Sequence, residues 1–301
     1  MPESVLFGDL AERWITQVAS LRLKATAVAE YSSLLRLHLL PSFAGRPVSE
    51  ISPDEIQEYM AHQVERGFSP RSVRNHLAVL RAVLKTAVAF DLVDTNVAMK
   101  VTAPRHFRKE QHFLTPSEMK AVLEACPRAW SLILALPMYA AARKGECLAL
   151  RWSSVSIERR QIAFIRSMRG GVEHTVKSAA SHASVPLADE LMPLFLERRE
   201  KVPDPVDGLV FCRSDGSPLD DGTPNRVLKR ACIKAGIEPC TFHQLRHSSI
   251  AALIASGAHP RVVQEFARHA SFDTTMSEYG HLMDGAGGDA VADMSRLISG
   301  S

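Results

Sequence analysis

Four residues near the C-terminus carry groups able to hold and attack a phosphodiester: His243 and Arg246 in the run His243-Gln244-Leu245-Arg246-His247, then His269, then Tyr279. A fifth, Arg143, lies far upstream in Ala142-Arg143-Lys144-Gly145-Glu146. A free phenol has a pKa near 10, so a tyrosine nucleophile needs a base or a strong positive field. As it attacks, negative charge spreads over the non-bridging phosphate oxygens, which two arginines can clamp without ever losing their charge. The leaving 5′-oxygen needs a proton, which a lysine or histidine can supply. Arg143 and Arg246 are the clamp candidates and Tyr279 the nucleophile. Lys177, in Thr175-Val176-Lys177-Ser178, is the candidate proton donor to the leaving oxygen. His243 and His269 are candidates for proton transfer or phosphate binding. With cations doing this work, the expected metal and cofactor sets are both empty.

The remaining composition bounds the class. At 301 residues and 46% hydrophobic, the chain can bury two cores. A net charge of +3 allows a nucleic-acid partner without requiring one, so the distribution of charge has to carry that inference. Five scattered cysteines without CxxC spacing speak against a disulfide framework or a zinc site and for a reducing compartment. Met1-Pro2-Glu3-Ser4 does not open a signal peptide, and no apolar run reaches membrane-spanning length, so the expected location is cytoplasmic, with no membrane partner.

The elements that must position these residues form two blocks: a mainly α chain with a small antiparallel β-sheet. Residues 1–93 read as an all-helical domain. Its helices span Phe7 to Leu21, Ala25 to Leu40 (stopping at Pro41), a third opened by the Ser52 cap with Pro53 and closed by Gly67, and a fourth from Ser69-Pro70 to about Phe90. On the fourth, Val73, Leu77, Leu80 and Leu84 make an apolar stripe. Arg71, Arg74, Arg81 and Lys85 recur on another face, either as a solvated surface or as a ridge for DNA phosphates. Residues 94–111 read as a basic linker. A mixed α+β domain follows over 112–282, opened by the Thr115-Pro116-Ser117-Glu118 capping box. It contains an apolar helical stretch broken near Arg143, short strands between Val155 and Arg166, a hairpin over Val172 to Leu187, and further helices through His281. Residues 283–301 read as a glycine-rich tether and a short amphipathic helix that needs a partner surface. Taken singly, Arg143 and Glu146 could be ordinary surface residues, His247 a packed structural histidine, and Trp152 a core residue.

In order and combination, the segments Arg143–Trp152, His243–His247, and Arg268-His269 through Tyr279-Gly280-His281-Leu282 resemble the tyrosine recombinase, or phage integrase, family, in its Xer-like two-domain form. The resemblance covers nearly the whole chain and implies a helical core-binding domain and a catalytic domain that together clamp duplex DNA. It implies site-specific recombination through a covalent 3′-phosphotyrosine and a Holliday junction, without metal or ATP, by a homotetramer assembled on paired recombination sites from a free monomer. It also implies roles: Arg143, Arg246 and His269 on the scissile phosphate, Lys177 as general acid, His243 assisting the tyrosine, and Glu146 orienting Arg143. Three departures stand out, one being that Gly170-Gly171 lies well before Lys177, where some members keep glycine close to the lysine. Ala140-Ala141-Ala142 replaces a Thr-Gly pair and a bulky apolar residue, and Arg268 stands where a glycine often precedes the histidine. A DNA-binding architectural protein without catalysis is the rival reading, but its mark would be a missing arginine or tyrosine, and none is missing. A type IB-like topoisomerase is the other rival; the helical N-terminal domain and tethered C-terminal helix argue against it.

Overall fold

The computed structural model describes residues 5–105, 113–175, 184–202 and 207–280, which divide into two compact units between Lys109 and Glu110. The first unit is all helical: α1 (7–22), α2 (25–43), α3 (Pro53–Glu65) and α4 (Pro70–Ala89). Ser52 and Ser69 cap α3 and α4, each hydroxyl accepting the backbone N–H three residues on at 3.1 Å. Gly67, at φ 87°, closes α3 as its position predicts. Pro41 does not stop α2, which runs on to Phe43. A π-helical stretch, Leu35–Leu39, lies just before the proline. Its wider turn relieves the clash between a proline ring and the preceding turn that breaks a regular helix.

The predicted apolar stripe of α4 is buried, packed with Phe7, Leu10, Phe43 and Ile56. Across the helix, Arg71, Arg74 and Lys85 are exposed. Arg81 is not a member of that surface. It is half-buried, donating from Nε to the Ala98 carbonyl at 2.9 Å and from Nη2 to Val101 at 3.0 Å. Asn96 returns a bond to the Arg81 carbonyl at 2.9 Å. These bonds fold residues 96–101 back onto the bundle and bury Ala98 and Val101. The expected linker over 94–111 therefore begins too early: its first residues belong to the first core, because Arg81 satisfies their carbonyls.

The second unit opens with α5 (Pro116–Ala125) and its reciprocal cap, Glu118 N–H to Thr115 Oγ1 at 3.2 Å and Thr115 N–H to Glu118 Oε2 at 2.7 Å. α6 (Arg128–Tyr139) is buried continuously from Ser131 to Met138. The chain then breaks, as expected, with Ala141 in the left-handed region at φ 45°, before the short α7 (Lys144–Leu148). β1 (Val155–Ser156), β2 (Gln161–Ala163) and β5 (Ser184–Pro186) form an antiparallel sheet in the order β1-β2-β5. β3 (Arg166–Arg169) and β4 (Val172–Thr175) form a separate hairpin, with Arg169 opposite Val172. The hairpin thus lies earlier than the predicted 172–187, and the later strand pairs with β2. Gly170 and Gly171, at φ 59° and 76°, supply the two-residue turn with both angles positive that a tight hairpin requires.

Gly145 lets α7 lie on β3: a Cβ there would collide with Ser167 Oγ and sit 3.0 Å from the Met168 carbonyl oxygen. The unit continues through α8 (Met192–Arg199), α9 (Gly222–Lys234), α10 (Phe242–Ala255), α11 (Pro260–Ala267) and α12 (Phe272–Tyr279). Lys177 and residues 283–301, for which the sequence predicts a tether and a short helix, lie outside the described residues. Among the described residues, no helix is long and apolar enough to cross a membrane.

Candidate active site

The site is assembled from the break after α6 and from α10, α11 and α12. Thr241 and Gln244 cap α10 reciprocally, at 3.1 and 2.9 Å, and so fix the first turn that carries His243. His247 lies one turn further along the same face. The two imidazoles meet edge-on with ring centroids 4.0 Å apart and Nε2 atoms 2.6 Å apart. His247 Nδ1 is hydrogen-bonded to the Tyr279 hydroxyl. His247 is buried, as a packed histidine would be, and its ring bridges His243 and the candidate nucleophile.

Tyr279 is fully buried. Its ring packs with Ala141, Ile250, Ile254, Val263 and Ala267, and lies near-parallel to His269 at 6.2 Å. Tyr59, in the first unit, has a comparable bond from its hydroxyl to His76 Nδ1 at 3.0 Å. Burial, only partly opposed by Arg66, pushes the Tyr59 phenol up to about 12. What distinguishes Tyr279 is the set of arginines around it.

Arg246 is 2% exposed, with Nη1 donating to the Ala141 carbonyl and Nη2 to that of Ala267. Burial, reinforced by the cations of Arg143 and Arg268, lowers its pKa to about 9, so it stays charged at neutral pH. Arg143 stands at the N-terminus of α7. Its N–H donates to Glu146 Oε2 at 2.8 Å and its Nη1 to Oε1 at 2.7 Å, while its side chain keeps 42% exposure. Glu146 is buried, which alone would raise its pKa; Arg268 and Arg143 outweigh that and hold it below the ordinary carboxylate value. Arg143, Glu146, His243, Arg246, His269 and Tyr279 thus share one neighbourhood.

His269 Nδ1 is 3.0 Å from Thr275 Oγ1. With the threonine donating, the neutral ring carries its proton on Nε2, a donor suited to an anionic oxygen. Burial, aided by Arg246 and Arg143, lowers the His269 pKa from 6.5 to about 4. Between those values the unfolded chain binds a proton here that the folded chain does not, so stability falls as pH drops through the window. Glu146, also held low, acts in the same sense at lower pH: its contribution is lost as pH falls below the ordinary carboxylate value. Urea titrations of the wild type should lose roughly 2–3 kcal/mol per such histidine between pH 7 and pH 4. His269→Gln should remove its share of that slope; an unchanged slope would contradict the assignment. His76 in the first unit, lowered to about 4 by burial and His38, acts in the same sense.

Residues 112–285 match the phage integrase family model, and residues 6–62 match the phage integrase N-terminal SAM-like domain. A tyrosine recombinase XerC-like protein of Caldanaerobacter subterraneus is 22% identical over 98% of this chain and 84% of its own length. The ICEBs1 integrase of Bacillus subtilis is 26% identical over 83% of this chain and 72% of its own length. Among solved structures, the Tn1549 transposon integrase bound to transposon right end DNA superposes with a TM-score of 0.80 at 18% identity, over 98% of this chain and all of that one. A lambda integrase tetramer on a Holliday junction superposes at 0.72 and 20% identity, over 89% of this chain and 78% of that one. This chain, with its buried tyrosine set among paired arginines and histidines, belongs to the phage integrase family and is a tyrosine-type site-specific DNA recombinase.

Proposed function

We propose that Arg143 and Arg246 hold the non-bridging oxygens of the scissile phosphate, with His269 donating from Nε2, while Tyr279 attacks phosphorus. The phenolic proton passes to His247, with His243 next in line. The bond from the tyrosine oxygen to phosphorus forms as the bond from phosphorus to the 5′-oxygen breaks. Lys177 gives its proton to that oxygen, leaving a 3′-phosphotyrosine and a free 5′-hydroxyl. Attack by a 5′-hydroxyl from a partner strand reverses the step and conserves the bond energy, so neither ATP nor a metal enters. The hydrogen-bonded sequence Tyr279–His247–His243 beside buried arginines carries this reading. The test is a nicked suicide duplex, its core site recovered by selecting bound sequences from a randomised pool. In chelator-containing buffer the wild type should form a protease-sensitive covalent adduct, and none would form if the reading is wrong.

Tyr279 is enclosed in the described state, so α12 has to shift to present it to DNA. Residues 112–282 form the catalytic domain and residues 283–301 dock on a neighbouring protomer, coupling that shift to a tetramer assembled on DNA from free monomers. A cytoplasmic location fits an enzyme that acts on DNA. In the helical domain, Arg71, Arg74 and Lys85 contact duplex phosphates, whereas Arg81 serves the fold. Removing the charges of Arg71 and Lys85 should reduce the slope of log affinity against log salt on a non-specific duplex by about one per residue. Arg81→Gln should leave that slope intact and lower thermal stability instead; a reduced slope with unchanged stability would return Arg81 to the DNA surface.

A further inference from the structure

Two of the departures from the family pattern, Ala140-Ala141-Ala142 and Arg268, meet in space. Arg268 is in the left-handed region at φ 52°, at the C-terminal cap of α11, a backbone state that favours glycine. Ala141, at φ 45°, is a second non-glycine residue in that state. The Arg268 side chain, at 0% exposure, connects them: Nη1 donates to the Ala140 carbonyl at 3.0 Å and Nη2 to that of Ala141 at 3.0 Å. Nη2 also pairs with Glu146 Oε2 at 2.7 Å, and the guanidinium stacks over Phe164 with its carbon 4.5 Å from the ring centre. Two of these partners lead on to clamp candidates. Glu146 holds both the backbone and the side chain of Arg143. The Ala141 carbonyl also receives Arg246.

We infer that Arg268 is a positioning residue for DNA cleavage: its buried fork fixes Glu146 and the Ala140–Ala141 carbonyls, and through them aims Arg143 and Arg246 at the scissile phosphate. This rests on the reading of those two arginines as the phosphate clamp. A glycine at 268 would suit the backbone better, and a side chain that served only to fill space would need no charge. What an uncharged residue cannot do is share the Glu146 carboxylate. Without Arg268 that carboxylate has Arg143 as its remaining ion-pair partner and draws it away from the phosphate.

The test is single-turnover cleavage of the suicide duplex at saturating enzyme, with affinity for the same duplex measured alongside. Arg268→Met should slow cleavage by about 100-fold while affinity stays within about threefold, since most binding comes from phosphate contacts elsewhere. Arg268→Lys should recover only part of the rate, and Arg268→Gly should fare no better than Arg268→Met despite its easier backbone. Adding Glu146→Gln to Arg268→Met should cost little more than either change alone. Replacing the scissile phosphate by an uncharged methylphosphonate should shrink the Arg268→Met penalty to under about tenfold, because a neutral centre needs the clamp less.

Cleavage within about threefold of wild type by folded Arg268→Met, or the same penalty on both substrates, would overturn the inference. If Arg268→Met does not fold, Arg268→Lys decides by the same two criteria. Absence of an adduct from the wild type would instead remove the phosphotyrosine reading, and this inference with it. An adduct from the wild type that is undiminished in Arg246→Ala would remove the clamp assignment.

Discussion

Arg246→Lys is expected to slow strand cleavage by about 100- to 1,000-fold and to destabilise the second unit by about 1–3 kcal/mol. The guanidinium spans two carbonyls contributed by separate elements, Ala141 in the break after α6 and Ala267 at the end of α11. A planar fork can hold both and still turn donors toward a phosphate, whereas a lysine brings one compact ammonium on a flexible stem. Arg268 still serves the Ala141 carbonyl, but the carbonyl of the fully buried Ala267 loses its side-chain donor where water has little access. Both effects should therefore appear together: lower cleavage in single-turnover assays, and a lower denaturation midpoint for the second unit. Because non-specific affinity comes mainly from other phosphate contacts, binding to a duplex should change far less than cleavage. Cleavage at the wild-type rate would mean that charge alone suffices at this position and that the fork geometry is irrelevant.

Tyr279→Phe should abolish the covalent adduct while leaving a folded protein that binds DNA. The ring stays in its apolar cluster, and the change removes the hydroxyl and its bond to His247. One hydrogen bond is worth about 1 kcal/mol net, too little to unfold a unit with this core. The other three tyrosines do not offer a substitute. Tyr31 packs beside Trp14, and Tyr59 is buried with its phenol pushed up to about 12. Burial, with Glu190 adding to it, also raises the pKa of Tyr139.

Local chemistry made much of the fold legible in the sequence. Ser52, Ser69 and Thr115 announce helix starts because a side-chain oxygen followed by proline satisfies the first turn, and each does so here. Gly170-Gly171 is the hairpin's local signal, but that β5 pairs with β2 and not with β4 depends on the tertiary fold, which no local pattern shows. Pro41 reads as a stop because nothing in a linear pattern reveals the π stretch ahead of it.

The site was legible by residue type and less so by partnership. The place of His247 beside His243 is implied by its spacing: four residues on, it must share that face of the helix. Arg81 fell into the basic stripe by periodicity, but the carbonyls it serves come from a segment that folds back, which no helical wheel shows. Arg268 and Glu146 are separated by 122 positions, and only the tertiary fold brings them together. The sequence marked Arg268 as a departure, and the left-handed backbone at that position explains why glycine is common there.

The most direct measurement is the identity of the residue that carries the DNA. Digesting the wild-type suicide adduct with protease and nuclease and sequencing the nucleotide-linked peptide by mass spectrometry should place a 3′-phosphate on Tyr279, with a free 5′-hydroxyl on the released strand. The same digestion of Tyr279→Phe should yield no modified peptide. A nucleotide on any other residue, or an adduct that survives in Tyr279→Phe, would contradict the account.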